Sequence, residues 1–217
     1  MKLDPIVIVT LPVVVFSIVI HECAHGLMAL WCGDTTARDR GRLTLNPLPH
    51  MDPIGSVILP GLLALIHSPF LFGWAKPVPI QWANLRSPHN DPVKVALAGP
   101  ASNAVLAVLF AALAGFSPAS GFWSPLREMG YVGVVWNCAL GLFNLIPIPP
   151  LDGSWVLMRF LPLKHVIVLQ HYRLIGIAVV MLLLSTHTVS AAFYTPLRLA
   201  VNACLSLFGA HSAEAIL

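Results

Sequence analysis

Residues 5–31 read Pro5-Ile-Val-Ile-Val-Thr-Leu-Pro-Val-Val-Val-Phe-Ser-Ile-Val-Ile-His21-Glu22-Cys23-Ala24-His25-Gly-Leu-Met-Ala-Leu-Trp31. As a helix this run would extend about 40 Å, enough to span a hydrocarbon layer of about 30 Å. Its first sixteen residues, Pro5 to Ile20, hold nothing that ionises. Then three ionisable side chains arrive within five positions. The remainder of the chain agrees with a membrane setting. Of its 217 residues, 57% are hydrophobic and 10% charged, against about a quarter charged in soluble domains. The mean hydropathy is +0.81.

Further apolar stretches run over residues 54–74, 93–116, 129–146 and 174–208, the last interrupted by His187 and by Thr195-Pro196. If each crosses once and the last twice, the chain is an all-α membrane protein, a polytopic bundle of five or six transmembrane helices. Pro60-Gly61 and Ser68-Pro69 also permit residues 54–74 to re-enter on the face they left. The connecting loops are rich in Pro, Gly and Asn and too short to fold alone, so residues 1–217 read as a single membrane-embedded domain. Residues 35–45 alternate loosely and include β-branched side chains, which predicts a short edge strand or β-hairpin at the membrane face. Met1-Lys2 ahead of an apolar run also has the form of a secretory leader. No A-x-A cleavage site follows, and the run continues into His21 and Glu22, so that reading loses.

Charge and cysteine usage exclude other classes. The net charge of +3 comes from 12 basic and 9 acidic side chains spread over the chain, with no basic stripe for nucleic acid. Cys23, Cys32, Cys138 and Cys204 form no C-x-x-C pair and suggest neither a disulfide framework nor a thiolate zinc site. Basic residues divide almost evenly between the two sides, so charge bias barely decides orientation.

An ionisable side chain within a crossing costs a few kcal/mol, so each one asks for a function. His21-Glu22-Cys23-Ala24-His25 is H-E-x-x-H. On a helix the two histidines are offset by about 40° and one turn, and both imidazoles can hold one Zn²⁺. Glu22 points about 100° away from His21, which suits a carboxylate that stays off the metal and moves the proton of a bound water. The bland reading, buried polar residues without a metal, would leave two imidazoles and a carboxylate desolvated with nothing in return. A catalytic zinc needs a third protein ligand, and two acids qualify by position: Asp52, beside His50, and Asp152. Asp152 ends Asn144-Leu-Ile-Pro-Ile-Pro-Pro-Leu-Asp152-Gly153, where three prolines deny the backbone a regular helix. Such irregular chain at membrane depth belongs beside a wet cavity or inside protein.

These motifs together resemble the site-2 protease family of intramembrane zinc metalloproteases, with H-E-x-x-H at residues 21–25 and N-x-x-P-x-x-P-x-D-G at residues 144–153. Gly99-Pro100-Ala-Ser-Asn103, Asn46-Pro-Leu-Pro-His-Met-Asp-Pro-Ile-Gly55 and Gly73-Trp-Ala-Lys-Pro-Val-Pro79 resemble connecting motifs of bacterial relatives. The resemblance is to a short form without a PDZ or nucleotide-sensing CBS module. It implies one zinc ion per chain held by His21, His25 and Asp152, with Glu22 as general base and acid. It makes Asn144 a contact to the substrate backbone or the tetrahedral intermediate, and Asn103 a similar polar contact, with helix packing as the competing role for Asn103. The implied activity is hydrolysis of peptide bonds in or near transmembrane segments, on a transmembrane protein substrate in the lipid bilayer. The implied setting is a multi-pass protein of a bacterial or archaeal cell membrane, with its site nearer the cytoplasmic face. Two other classes compete: a metal or proton transporter, which also uses polar groups at mid-membrane, and a non-catalytic module that binds transmembrane helices. No repeated half supports the first, and the intact motif speaks against the second. His67 reads as a hydrogen-bonded interior histidine. His89, His165, His171, His187 and His211 show no ligand spacing.

Overall fold

A computed structural model describes residues 5–66, 73–184 and 187–210. His67 and His211 lie outside these. Within them the chain forms α1 (Pro5–Trp31), α2 (Thr36–Asp39), α3 (Leu59–Leu65), α4 (Asp91–Phe116), α5 (Ser124–Asn144), α6 (Gly153–Met158), α7 (Leu163–His171), α8 (Arg173–Leu184) and α9 (His187–Ser206). Tight 3-10 turns occur at Leu48–His50 and Trp82–Asn84, and a wide π-helical turn at Pro53–Ile58 runs into α3. No strand occurs among the described residues, only an isolated antiparallel bridge between Met51 and Ala75.

That all-helical result corrects the hairpin expected over residues 35–45. Asp34 is buried, and its Oδ1 accepts both the backbone N–H and the hydroxyl of Thr36. A carboxylate satisfied by the chain two residues on favours a turn over an extended strand, and α2 follows.

α1, α4 and α5 pack together through small side chains. A Cβ on Gly130 of α5 would collide with the Ala114 backbone of α4, and one on Gly133 with the Phe110 ring. Ala107, Ala111 and Ala114 of α4 are buried against Val134 and Cys138 of α5 and against Leu197, Val201 and Leu205 of α9. Close approach through glycine and alanine is how helices gain dispersion contacts where lipid offers no hydrophobic drive. The outward faces are apolar: Ile8, Leu11 and Phe16 on α1, and Val105, Leu109 and Phe116 on α4, are exposed. In water each would forgo about 2 kcal/mol of burial, whereas lipid accepts them without cost.

Two helices, Ile8–Trp31 and Asp91–Phe116, are long and apolar enough to cross a membrane. Residues 54–74 do not fold as one long helix. α3 ends at Leu65, and the Trp74 N–H donates to Gly55 O at 3.1 Å, so this stretch ends where it began. Gly55 has to be glycine there, because any Cβ would enter the Trp74 ring.

Candidate active site

The site sits where the second half of α1 meets the first half of α4 and the start of α6. His21 and His25 are 7% exposed. Their Nε2 atoms lie 3.0 Å apart. Asp152 Oδ2 is 3.3 Å from each. Among the described residues this is the one trio of His, Cys, Asp or Glu with ligand atoms all close enough for a shared ion.

Local sequence explains the convergence. Gly99 of α4 faces both imidazoles, and a Cβ there would collide with His25 Nε2 and His21 Cε1, so the glycine leaves the space the two rings fill. Gly153 does the same for Asp152. A side chain at 153 would strike the carbonyl of Leu145, so glycine lets α6 begin tight against the end of α5. Trp155 of α6 packs on Trp82, ring centroids 4.1 Å apart, and fixes that short helix from the other side.

The remaining hydrogen bonds determine which nitrogen of each histidine is free. His25 Nδ1 lies 2.7 Å from Val95 O, a group that only accepts, so Nδ1 carries hydrogen and in the neutral ring Nε2 keeps its lone pair. For His21 the assignment passes through three helices. Asn137 Nδ2 donates to Gly133 O at 2.8 Å and to Ser17 Oγ at 2.9 Å, and Ser17 Oγ donates to Val13 O. The Gly133 carbonyl thus sets which end of the Asn137 amide is nitrogen. Asn137 Oδ1 must then accept from Asn103 Nδ2, at 2.9 Å. That leaves Asn103 Oδ1 facing His21 Nδ1 at 2.6 Å, so His21 also donates from Nδ1 and directs Nε2 inward. Ser17, Asn103 and Asn137 are fully buried.

With both rings neutral, two imidazole lone pairs and a carboxylate oxygen point at one spot, a repulsive arrangement that a cation relieves. Asp152 Oδ2 is sealed from solvent and has no hydrogen-bond donor. Ligand bonds of about 2.0 Å in a tetrahedron put ligand atoms about 3.3 Å apart, which the observed 3.0 and 3.3 Å separations match. Nitrogen and oxygen donors in that geometry fit zinc.

Glu22 lies beside the trio and off it. Its Oε2 accepts the backbone N–H of Val78 at 2.9 Å. Val78 belongs to an extended strap, residues 74–81, that is tied along its length. Lys76 N donates to His50 O at 2.8 Å, and Gln81 N donates to Asp34 Oδ2 at 2.7 Å. Burial works to raise the Asp34 pKa, but hydrogen bonds from Thr36, Asn84 and Gln81 outweigh it and hold the carboxyl below its ordinary value.

The other expected residues fall as follows. Asp52 Oδ1 accepts Ile54 N at 3.0 Å and Gly55 N at 2.7 Å and so caps the turn into α3. His50 is buried with Nε2 3.0 Å from Thr44 O. Neither joins the trio. Asn103 lies behind His21, with both ends of its amide engaged by His21 and Asn137, so it has no surface to offer a substrate. It is buried where three helices meet, its amide joining His21 to Asn137. Asn144, the last residue of α5, donates from Nδ2 to Leu140 O at 3.0 Å. Sequence reading passed over Ser17, Asn137 and Val78. Ser17 precedes His21 by one helical turn and Asn137 is an amide inside an apolar run, so two of the three carried a signal; a backbone N–H such as that of Val78 carries none.

Comparison with known proteins gives the same direction. Residues 117–186 match the model of peptidase family M50. A Bacillus subtilis (strain 168) protein named "Putative zinc metalloprotease YwhC" is 36% identical over 169 residues, covering 75% of this chain and 72% of the relative. "Putative zinc metalloprotease Rip2" of Mycolicibacterium smegmatis is 36% identical over 181 residues, covering 82% and 67%. Rip2 of Mycobacterium tuberculosis is 28% identical over 153 residues, covering 63% and 51%. No solved structure matches. With a relative above a third identical across most of both chains, this protein belongs to peptidase family M50.

Proposed function

We propose that the chain is a zinc-dependent endopeptidase of the site-2 protease type, with His21, His25 and Asp152 as the ligands of one zinc ion and Glu22 as its acid–base group. The observation that carries this is the meeting of two imidazole lone pairs and an orphaned carboxylate oxygen beside Glu22, a glutamate that stays off the trio with one oxygen held by the Val78 N–H. Zinc held by His21, His25 and Asp152 would supply a Lewis acid for a carbonyl oxygen and lower the pKa of a water to about 7.

The chain's own groups do the rest. Glu22 takes a proton from water at its carboxylate and returns it to the departing amide nitrogen. The Val78 N–H holds Oε2 and leaves Oε1 for that exchange. Asn103 and Val95 O keep each histidine in the tautomer that offers Nε2. Asn144 has an amide oxygen with no hydrogen bond to the described residues and stands at the end of α5, where it meets the backbone of an extended substrate. A peptide bond in a helix has its N–H and C=O engaged, so the substrate, a membrane-protein segment, has to unwind before its carbonyl is reached.

The same reading extends to the molecule's setting. α1 and α4 cross the bilayer, with α5, α8 and α9 supplying the further crossings of a five-span bundle. Residues 54–74 re-enter, since their ends meet. Residues 1–217 act as one domain in a bacterial or archaeal cell membrane, with the site nearer the cytoplasm. The test is Glu22→Gln in the purified full chain. Zinc content should stay at one per chain while cleavage of a single-pass substrate falls by at least about a hundredfold, as loss of a general base implies. Undiminished cleavage would remove Glu22 from the mechanism.

A further inference from the structure

One side of the strap that holds Glu22 lines a cavity of about 550 Å³ formed by Arg40, Arg42, Lys76, Pro77, Val78 and Pro79. Three of these are cations, and no ion pair among the described residues involves them. The nearest acid in sequence, Asp39, is already taken by Arg38 at 3.0 Å and by the Thr35 hydroxyl at 2.6 Å. Arg42 reaches across the cavity to donate to Lys76 O at 2.9 Å and Pro77 O at 3.3 Å. Its Nε is sealed from solvent and meets no acceptor. Among the described residues Glu22, held on the Val78 N–H, is the one carboxylate on this wall, and it forms no ion pair with the three cations, which repel one another. One polyoxygen anion in the cavity, meeting the accessible ends of these side chains, relieves that repulsion.

We propose that this cavity binds a phosphate group through Arg40, Arg42 and Lys76. A carboxylate brings one charge and two oxygens to three cations. A phosphate brings more oxygens, and the planar arginine forks match its geometry. The position fits a source in the membrane. Arg40 and Arg42 follow soon after the end of α1, where Trp31, 68% exposed, is the kind of side chain that sits at headgroup level. The occupant is then the headgroup phosphate of an anionic phospholipid, or free phosphate using the same contacts. Either would fasten Arg42 and Lys76 to one anion and stiffen the wall whose Val78 N–H meets Glu22. The inference rests on the membrane placement of the chain and not on its peptidase chemistry.

The experiment uses the full chain with two probes. In nanodiscs of equal phosphatidylglycerol and phosphatidylcholine, native mass spectrometry after transfer to detergent reads which lipid stays bound. In detergent alone, phosphorus NMR reads broadening of inorganic phosphate. Phosphatidylglycerol should be retained over phosphatidylcholine, and Arg40→Gln and Lys76→Gln should each weaken retention about fivefold, the effect of one basic side chain near an anionic lipid. Neither side chain makes a bond that holds the strap, and unchanged zinc content confirms that each variant is folded. Dependence on these residues in the lipid arm alone assigns a headgroup, and dependence in the phosphate arm assigns the free ion as sufficient. No dependence in either arm overturns the proposal. Because neither readout involves cleavage, its failure is separate from failure of the peptidase reading.

Discussion

At the level of single residues, the site depends on amides that never touch a substrate. Asn137 is fixed by the Gly133 carbonyl, Asn103 by Asn137, and His21 by Asn103, so the proton on His21 Nδ1 is determined by a backbone oxygen two helices away. Partners of this kind typically change metal affinity 10–100-fold. Asn137→Leu should therefore weaken zinc binding by about that factor, measured by competition with a chelator of known affinity, because the Asn103 amide is then free to turn its nitrogen toward His21. Ser17→Ala should do less, since Asn137 keeps its bond to Gly133. Equal zinc affinity in Asn137→Leu and the parent would show that the relay does not hold the histidine.

At the level of elements, the strap 74–81 has no regular secondary structure of its own and is held by groups donated from elsewhere. Asp34 is the anchor at its far end, and its carboxyl is kept below the ordinary pKa by the Thr36, Asn84 and Gln81 donors despite burial. A depressed carboxyl contributes stability at pH values above its unfolded pKa, and that contribution is lost as pH falls through the folded one. The strap should thus loosen on acidification below the ordinary carboxylate range, seen as faster amide exchange at Gln81 and Val78. In Asp34→Asn the exchange should already be fast at neutral pH and show no such acid step. An acid step of the same size in the variant would assign it to another group. The motif Gly73-Trp-Ala-Lys-Pro-Val-Pro79 was legible as a connecting motif, but its bond to Glu22 was not. Contacts between segments distant in sequence leave no periodicity, and a backbone donor leaves no residue type to notice.

At the level of the whole molecule, composition and H-E-x-x-H were enough to place two histidines and a glutamate inside a membrane helix. Position alone left Asp52 and Asp152 open, and the family resemblance over residues 144–153 implied Asp152. Both follow apolar or proline-rich chain; in the fold Asp52 is occupied with capping Ile54 and Gly55 while Asp152 faces the histidines. The strand expected over residues 35–45 failed for a local reason, the Asp34–Thr36 bonds, which outweigh a loose alternation of β-branched residues. The measurement that bears most directly on the central claim is zinc X-ray absorption on the purified protein, paired with metal content of Asp152→Ala. The expected result is one zinc per chain, with two imidazoles and a carboxylate at about 2.0 Å and no sulfur, and a loss of metal in Asp152→Ala. Sulfur in the coordination shell, or full zinc occupancy without Asp152, would contradict it.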